Sequence, residues 1–220
     1  MSAYAVLPFI SSRTNARPVA ARSCVDEVYA RVLDAIVEQR LPPDSRLSEE
    51  RLGREFGASR LQIRRVLSLL TYQQVITLQA NVGARIAVPS DEQVREALHA
   101  RRLTELALIP MACRQAQKHD VDHLQHLIER QRQAHVSHQR GLAIRLAGAF
   151  HLHLAQMAGN APLAQFLANL MPMTSLALAR CSQLPQVWQQ HVAMLNAVEK
   201  HDEATAVALL SQYLDGLTPE

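Results

Sequence analysis

The chain is poor in the residues that mark many protein classes. Aromatic residues make up 4% of its 220 positions, and it holds only 7 glycines and 10 prolines. Collagen-like and low-complexity classes are thereby excluded. Cysteine occurs three times, at Cys24, Cys113 and Cys181. With no CxxC pair there is no disulfide framework to expect, and a reducing, cytoplasmic compartment is the expectation. No apolar run reaches the roughly 18 uncharged residues of a membrane span. The Met1–Ile10 stretch has an apolar patch but no basic leader, so it reads poorly as a signal peptide. HExxH, GxSxG and a Cys/His pairing are all missing. A non-enzymatic protein is expected, and a small His-based metallohydrolase stays a subordinate reading.

What is there divides unevenly. Residues 1–90 hold 12 arginines, no lysine and 8 acidic residues, a balance of +4. Residues 91–220 hold 11 basic and 12 acidic residues, a balance of −1, and carry all ten histidines. The change in composition suggests a boundary near Val88-Pro89-Ser90-Asp91. The expected layout is a flexible arm over 1–23, one domain over 24–89 and a second over 90–220. A basic first half suits a polyanionic partner, although such a balance is also ordinary for a protein surface.

Periodicity locates the elements. Val25, Val28, Tyr29, Val32, Leu33, Ile36 and Val37 share one helical face that ends before Pro42-Pro43. Ser48 followed by Glu49 and Glu50 predicts a helix start, with Phe56 and Gly57 at the end. Ser59 caps a third helix, and Ser59-x-x-Gln62 has the capping-box spacing. Extended pieces are expected over Val75–Leu78 and Arg85–Val88, with Asn81-Val82-Gly83 as the turn. Beyond these, helices are expected over about 91–117, 120–137, 140–158, 161–181, 184–200 and 202–216. The predicted fold is mainly α: an N-terminal winged helix-turn-helix followed by an all-α antiparallel bundle.

In such a unit the second helix of the pair enters the major groove with its N-terminal residues at the base edges. Those residues are Ser59, Arg60, Gln62 and Arg64. An arginine fork engages guanine or phosphate. Gln62 either reads adenine or closes the capping box, and Ser59 either caps the helix or touches phosphate. Gly83 permits a positive φ at the wing tip, which serves a close DNA approach or a plain turn equally well.

The stretch Leu47 to Leu70 resembles the DNA-binding domain of GntR-family bacterial transcription regulators. The family pattern L-x-E-x-x-L-A, then S-R-x-P-V-R-x-A-L-x-x-L, is met by Leu47, Glu49, Leu52, Ser59-Arg60, Ile63-Arg64, Leu67 and Leu70. The resemblance implies that Arg51, Arg60 and Arg64 face an operator and that Gly83 belongs to the wing. Gln62 stands where the family has Pro, Asp44 where it has Gly, and Val75 where a Gly commonly precedes the wing.

The second half resembles the FadR-type effector domain of the all-helical FCD class. The matches are Arg101-x-x-x-Glu105, Phe150-His151, Ala158-Gly-Asn160-x-x-Leu163 and His191-x-x-Met-Leu-x-Ala197. As a plain pattern, Arg101 and Glu105 form a surface or intrahelical ion pair. The resemblance implies a homodimer that binds a double-stranded operator and senses a small, carboxylate-bearing effector. Its class also uses an Asp and three His as metal ligands. Here those positions hold Ala147, His151, His191 and Tyr213, so no metal is expected unless His151 and His191 retain a degenerate zinc or nickel site. His153 is expected to face away from His151. Ile144, Ala147, His151, Leu154 and Ala158 form one inward stripe, and Val187, His191, Met194 and Val198 another. A histidine on such a stripe is either a hydrogen-bonded core residue or a ligand. The functional expectation is that Arg101, His151, His191 and Tyr213 line a metal-free effector pocket, with Arg101 as carboxylate partner. The alternative is a DNA-binding protein whose helical half only dimerises.

Overall fold

The computed structural model describes residues 24–79, 83–180 and 187–217. The expected arm at 1–23, Asn81-Val82 of the turn, Cys181 and the expected helix start at 184 lie outside the described residues.

The first helix, α1 (Cys24–Val37), buries Val28, Val32, Leu33, Ile36 and Val37, as its period requires. It ends where Gln39 turns left-handed at φ 59° and the Leu41 N–H reaches the Ala35 carbonyl at 3.0 Å, a Schellman-type closure before Pro42. Strand β1 (Arg46–Leu47) leads into α2 (Glu49–Phe56), which Ser48 caps and Gly57 terminates in a left-handed conformation. Helix α3 (Arg60–Tyr72) starts from Ser59. Strands β2 (Ile76–Gln79) and β3 (Gly83–Ile86) pair antiparallel, with β1 on the free side of β3. Together these elements are a winged helix-turn-helix.

Two details depart from expectation. Strand β3 begins at Gly83, two residues before the predicted start, and β1 was not predicted. A two-residue strand is too short to show alternation. The Asp44 that replaces a family glycine does occupy a left-handed conformation, φ 58°. Asp tolerates this region better than most residues, and its carbonyl accepts from Arg85 at 2.6 Å, which holds the turn against β3.

Six further helices follow: α4 (Asp91–Gln115), α5 (Lys118–Val136), α6 (Arg140–Met157), α7 (Ala161–Arg180), α8 (Val187–Glu199) and α9 (Glu203–Asp215). Ser90 and Gln93 close a second capping box at the start of α4. One apolar cluster lies among α4 to α9, centred on Leu124, Leu146, Phe150, Leu167 and Met194. The other lies under the winged unit, and it recruits Ile144, Leu176 and Ala179 from α6 and α7. Helix α1 therefore belongs to both halves. The seam is closed by Arg145, whose Nε lies 2.6 Å from the Asp34 carboxylate, and by Gln39, which donates to the Ala179 carbonyl at 3.3 Å.

Gly141 opens α6 at this seam. A Cβ there would sit 2.2 Å from Glu38 Cγ. The group met is the flexible, half-buried Glu38 side chain, which can swing aside, so Gly141→Ala gains up to about 1 kcal/mol of helix propensity at little packing cost. Urea unfolding should show stability unchanged or raised by up to about 1 kcal/mol.

Candidate nucleic-acid interface and effector site

Helix α3 buries Ile63, Val66, Leu67 and Leu70 and turns Arg60, Leu61, Arg64, Arg65 and Ser68 to the surface. Its start is fixed by reciprocal hydrogen bonds: Gln62 N–H donates to Ser59 Oγ at 3.3 Å, and Ser59 N–H donates to Gln62 Oε1 at 2.8 Å. Of the two roles open to Gln62, the structure shows the capping one. Arg64 Nε donates to Glu49 at 2.9 Å, which ties α3 to the start of α2. That contact raises the Arg64 pKa, mainly through the hydrogen bond. Arg51 is exposed beside Glu55 at 3.8 Å. Gly83 is exposed at the wing with φ 96°, a conformation that disfavours any other residue. The front of α2, the front of α3 and the wing thus carry every sequence-predicted DNA residue, all but the half-buried Gln62 exposed.

The four expected effector residues converge inside the helical half. Arg101, His151, His191 and Tyr213 are all at most 2% exposed. Arg101 and Glu105 form no surface pair: Nε lies 2.5 Å from Oε1 in full burial. Glu105 also takes His151, with Nδ1 2.6 Å from Oε2. The Arg101 guanidinium lies over the Tyr213 ring, 5.7 Å from its centroid, and donates to Thr174 Oγ1 at 3.4 Å. His151 stacks on Tyr213 at 4.7 Å and stands edge-on to His191 at 5.0 Å. His191 stacks on Phe150 at 4.3 Å, and its Nδ1 is 2.8 Å from Gln131 Oε1.

Electrostatics follow from this packing. Burial pushes the Glu105 carboxyl up, but the Arg101 charge and His151 outweigh it and hold it down at about 2. Burial likewise disfavours the Arg101 charge, and Glu105 more than restores it. Burial lowers both His151 and His191, His191 well below its ordinary value. Burial raises the Tyr213 phenol. The set is therefore one cation, one anion and three neutral rings. Among the described residues, the Nε2 atoms of both histidines and Nη2 of Arg101 have no hydrogen-bond partner. Each is a buried polar atom that a water or ligand would satisfy. A small cavity of about 30 Å³ lies alongside, lined by Gln131, Ala147, Trp188 and Tyr213 among others.

Residues 25–86 match the description "Bacterial regulatory proteins, gntR family", and residues 96–216 match the FCD domain. This chain belongs to the gntR family. It is an FCD-type transcription regulator. Among curated proteins it is similar to the Nta operon transcriptional regulator of Aminobacter aminovorans, with 24% identity over 79% of this chain and 83% of that protein. Among solved structures it shares the fold of E. coli McbR/YncC, with a TM-score of 0.74, 17% identity, and coverage of 87% of this chain and 93% of that one. It also shares the fold of a GntR transcriptional regulator from Rhodococcus sp. RHA1, with a TM-score of 0.70, 18% identity, and coverage of 87% and 94%. No helix among the described residues is long and apolar enough to cross a membrane.

The FCD class implies a metal, and the residues present do not fit one. Ala147 has no donor atom, and Tyr213 stays a neutral phenol beside a fixed guanidinium cation. Two imidazoles remain, and among the described residues no three His, Cys, Asp or Glu side chains are placed to share an ion. Gln131 was missed from the sequence as the partner of His191. The signal was there: it is a polar residue on the buried α5 stripe of Leu124, Leu127, Ile128 and Ala134. His153 does face away from His151. It packs on His123, ring centroids 4.4 Å apart, with Asp120 Oδ1 3.4 Å from its Nε2.

Removing the Glu105 charge strands a buried guanidinium. Glu105→Gln should cost on the order of 3–5 kcal/mol in chemical unfolding. The Arg101 charge and His151 hold the folded pKa of Glu105 below the ordinary carboxylate value of 4.5. Its contribution is therefore complete above that pH and drains as the pH falls towards about 2. The wild type should lose this stability in acid, whereas the variant's acid profile should be flatter.

Proposed function

We propose that this regulator binds a two-fold symmetric operator as a homodimer, with α3 in the major groove, and that a small molecule in the Arg101–His151–His191–Tyr213 cluster adjusts its affinity. The outward face of α3 carries the DNA part of this reading. It presents Arg60, Arg64 and Arg65 at the surface while its apolar face is fully occupied by the core. A helix held this firmly from behind can insert its front turn into a groove without losing packing. Arg51 at the start of α2 and Gly83 at the wing take phosphate positions on either side. Ser59, already a cap, offers its hydroxyl to phosphate.

The effector part rests on the three buried nitrogens without partners. The small cavity that reaches this cluster only at Tyr213 and Gln131 holds only one or two waters. A metabolite must therefore select a state in which helices α5, α6, α8 and α9 stand further apart. A carboxylate effector would add an anion to a set already balanced by Arg101 and Glu105, so it must compete with Glu105 for the guanidinium. That same internal pairing favours a second reading, in which the helical half dimerises and senses nothing.

Two experiments test these readings. Arg60→Ala should weaken operator binding by the free energy of one Arg–base or Arg–phosphate contact, about 1–3 kcal/mol, without lowering the melting temperature. Unchanged binding would contradict the docking of α3. A thermal-shift screen with small organic acids should raise the melting temperature of the dimer and shift its operator affinity. The absence of any stabilising compound would favour the dimerisation-only reading.

A further inference from the structure

Leu61 stands where a leucine has no structural work to do. It is 62% exposed, in the first turn of α3, between the exposed Arg60 and the capping residue Gln62. It begins the outward stripe that continues through Arg64, Arg65 and Ser68 and ends at Tyr72, itself 66% exposed. A single exposed leucine is ordinary on a protein surface. What distinguishes this one is its neighbourhood. Of the polar side chains near it, Gln62 Oε1 is engaged in the capping box and Arg64 Nε on Glu49, while Arg60 is exposed. Leu61 and Arg60 project together from the exposed front turn, so on this docking both meet base edges.

The major groove offers one apolar feature, the 5-methyl group of thymine. A leucine cannot form a hydrogen bond to any base, and it would desolvate the polar edges of guanine, cytosine or adenine without replacing their bonds. Arg60 beside it supplies the guanidinium that a neighbouring guanine or phosphate would take.

We infer that Leu61 is a specificity-determining residue that reads thymine by packing on its 5-methyl group, one thymine in each half-site. The inference rests on α3 being the groove-inserted helix.

The test uses the full-length protein and duplexes selected from a random library. Failure to enrich any site would overturn the placement of α3 itself, together with this inference. With sites in hand, each thymine is replaced in turn by deoxyuridine, which removes only the methyl group. At one thymine per half-site the wild type should lose about fourfold in affinity, the worth of one buried methyl, and about sixteenfold when both half-sites are changed. Leu61→Ala should fold and melt as the wild type does, because the side chain it removes is exposed. It should bind the thymine duplex more weakly and be indifferent to uracil at that same position. A Leu61→Ala protein that keeps the full uracil penalty would refute the assignment. So would selected half-sites without thymine, or a wild type that tolerates uracil at every position. In those cases α3 would remain a DNA reader through its arginines alone.

Discussion

Helix α6 is the constraint on which the rest of the molecule depends, because two unrelated tasks fall on one rigid rod. Near its start, Ile144 lies in the core of the winged unit and Arg145 holds Asp34 of α1. Two turns later, His151 lies in the buried polar cluster. Seven residues of α-helix span roughly 10 Å, with no slack in the backbone between them. A displacement of His151 would therefore be passed to Ile144 and the winged unit packed on it. Rigid elements with two packing arrangements are how local events reach distant sites. The seam is also selective about what it permits. Glu38, just past the end of α1, lies against the α6 backbone at Gly141, where an added Cβ would make its side chain move.

The buried cluster is the other place where ordinary packing rules are stretched. A guanidinium and a carboxylate taken out of water lose several kcal/mol of solvation each, and their mutual attraction offsets this only with good geometry. Here the geometry is close, and the carboxylate gains a second partner in His151. The outcome is an electrically neutral set whose remaining needs are hydrogen bonds, not charge. That distinguishes it from the class pattern it resembles. Replacing an Asp by Ala147 and a His by Tyr213 removes two metal donors. It also removes the negative charge that would have offset a divalent cation, and Arg101 is now free to rest over the phenol ring.

Much of this was legible from sequence, for a reason that differs by region. In the winged unit, helix starts and stops are encoded by local chemistry: Ser48, Ser59, Gly57 and the Pro42-Pro43 pair act within a few residues of where they sit. The helices of the second half were legible because each buries a 3.6-residue stripe. What escaped was non-local. The two-residue strand β1 exists only because β3 lies beside it. Gln131 acquires meaning only when α8 brings His191 against it. Arg101 and Glu105 were legible as a surface or intrahelical ion pair, and the intrahelical pair is present, but i,i+4 spacing alone says nothing about which way the helix faces. Their burial follows from α7 and α9 closing over that side of α4. The contact of His201 with α4 belongs here as well: its Nδ1–H donates to the backbone carbonyl of Cys113 at 2.6 Å.

The arginines of the winged unit are not idle before DNA arrives. Arg51, Arg54 and Arg64 each lie near a glutamate of α2, namely Glu55, Glu50 and Glu49. Exposed ion pairs of this kind contribute between nothing and about 1 kcal/mol each, so a phosphate displaces them at little cost. Their effect falls on selectivity instead. The glutamates lower the net field of the face to less than its arginine content suggests. Non-specific association with any polyanion scales with that field and fades steeply with salt. A sequence that supplies the right base edges gains contacts that a random duplex does not. With α3 docked as proposed, weak internal pairing would trim the sequence-independent part of the affinity and leave the front turn of α3 to decide where the protein rests.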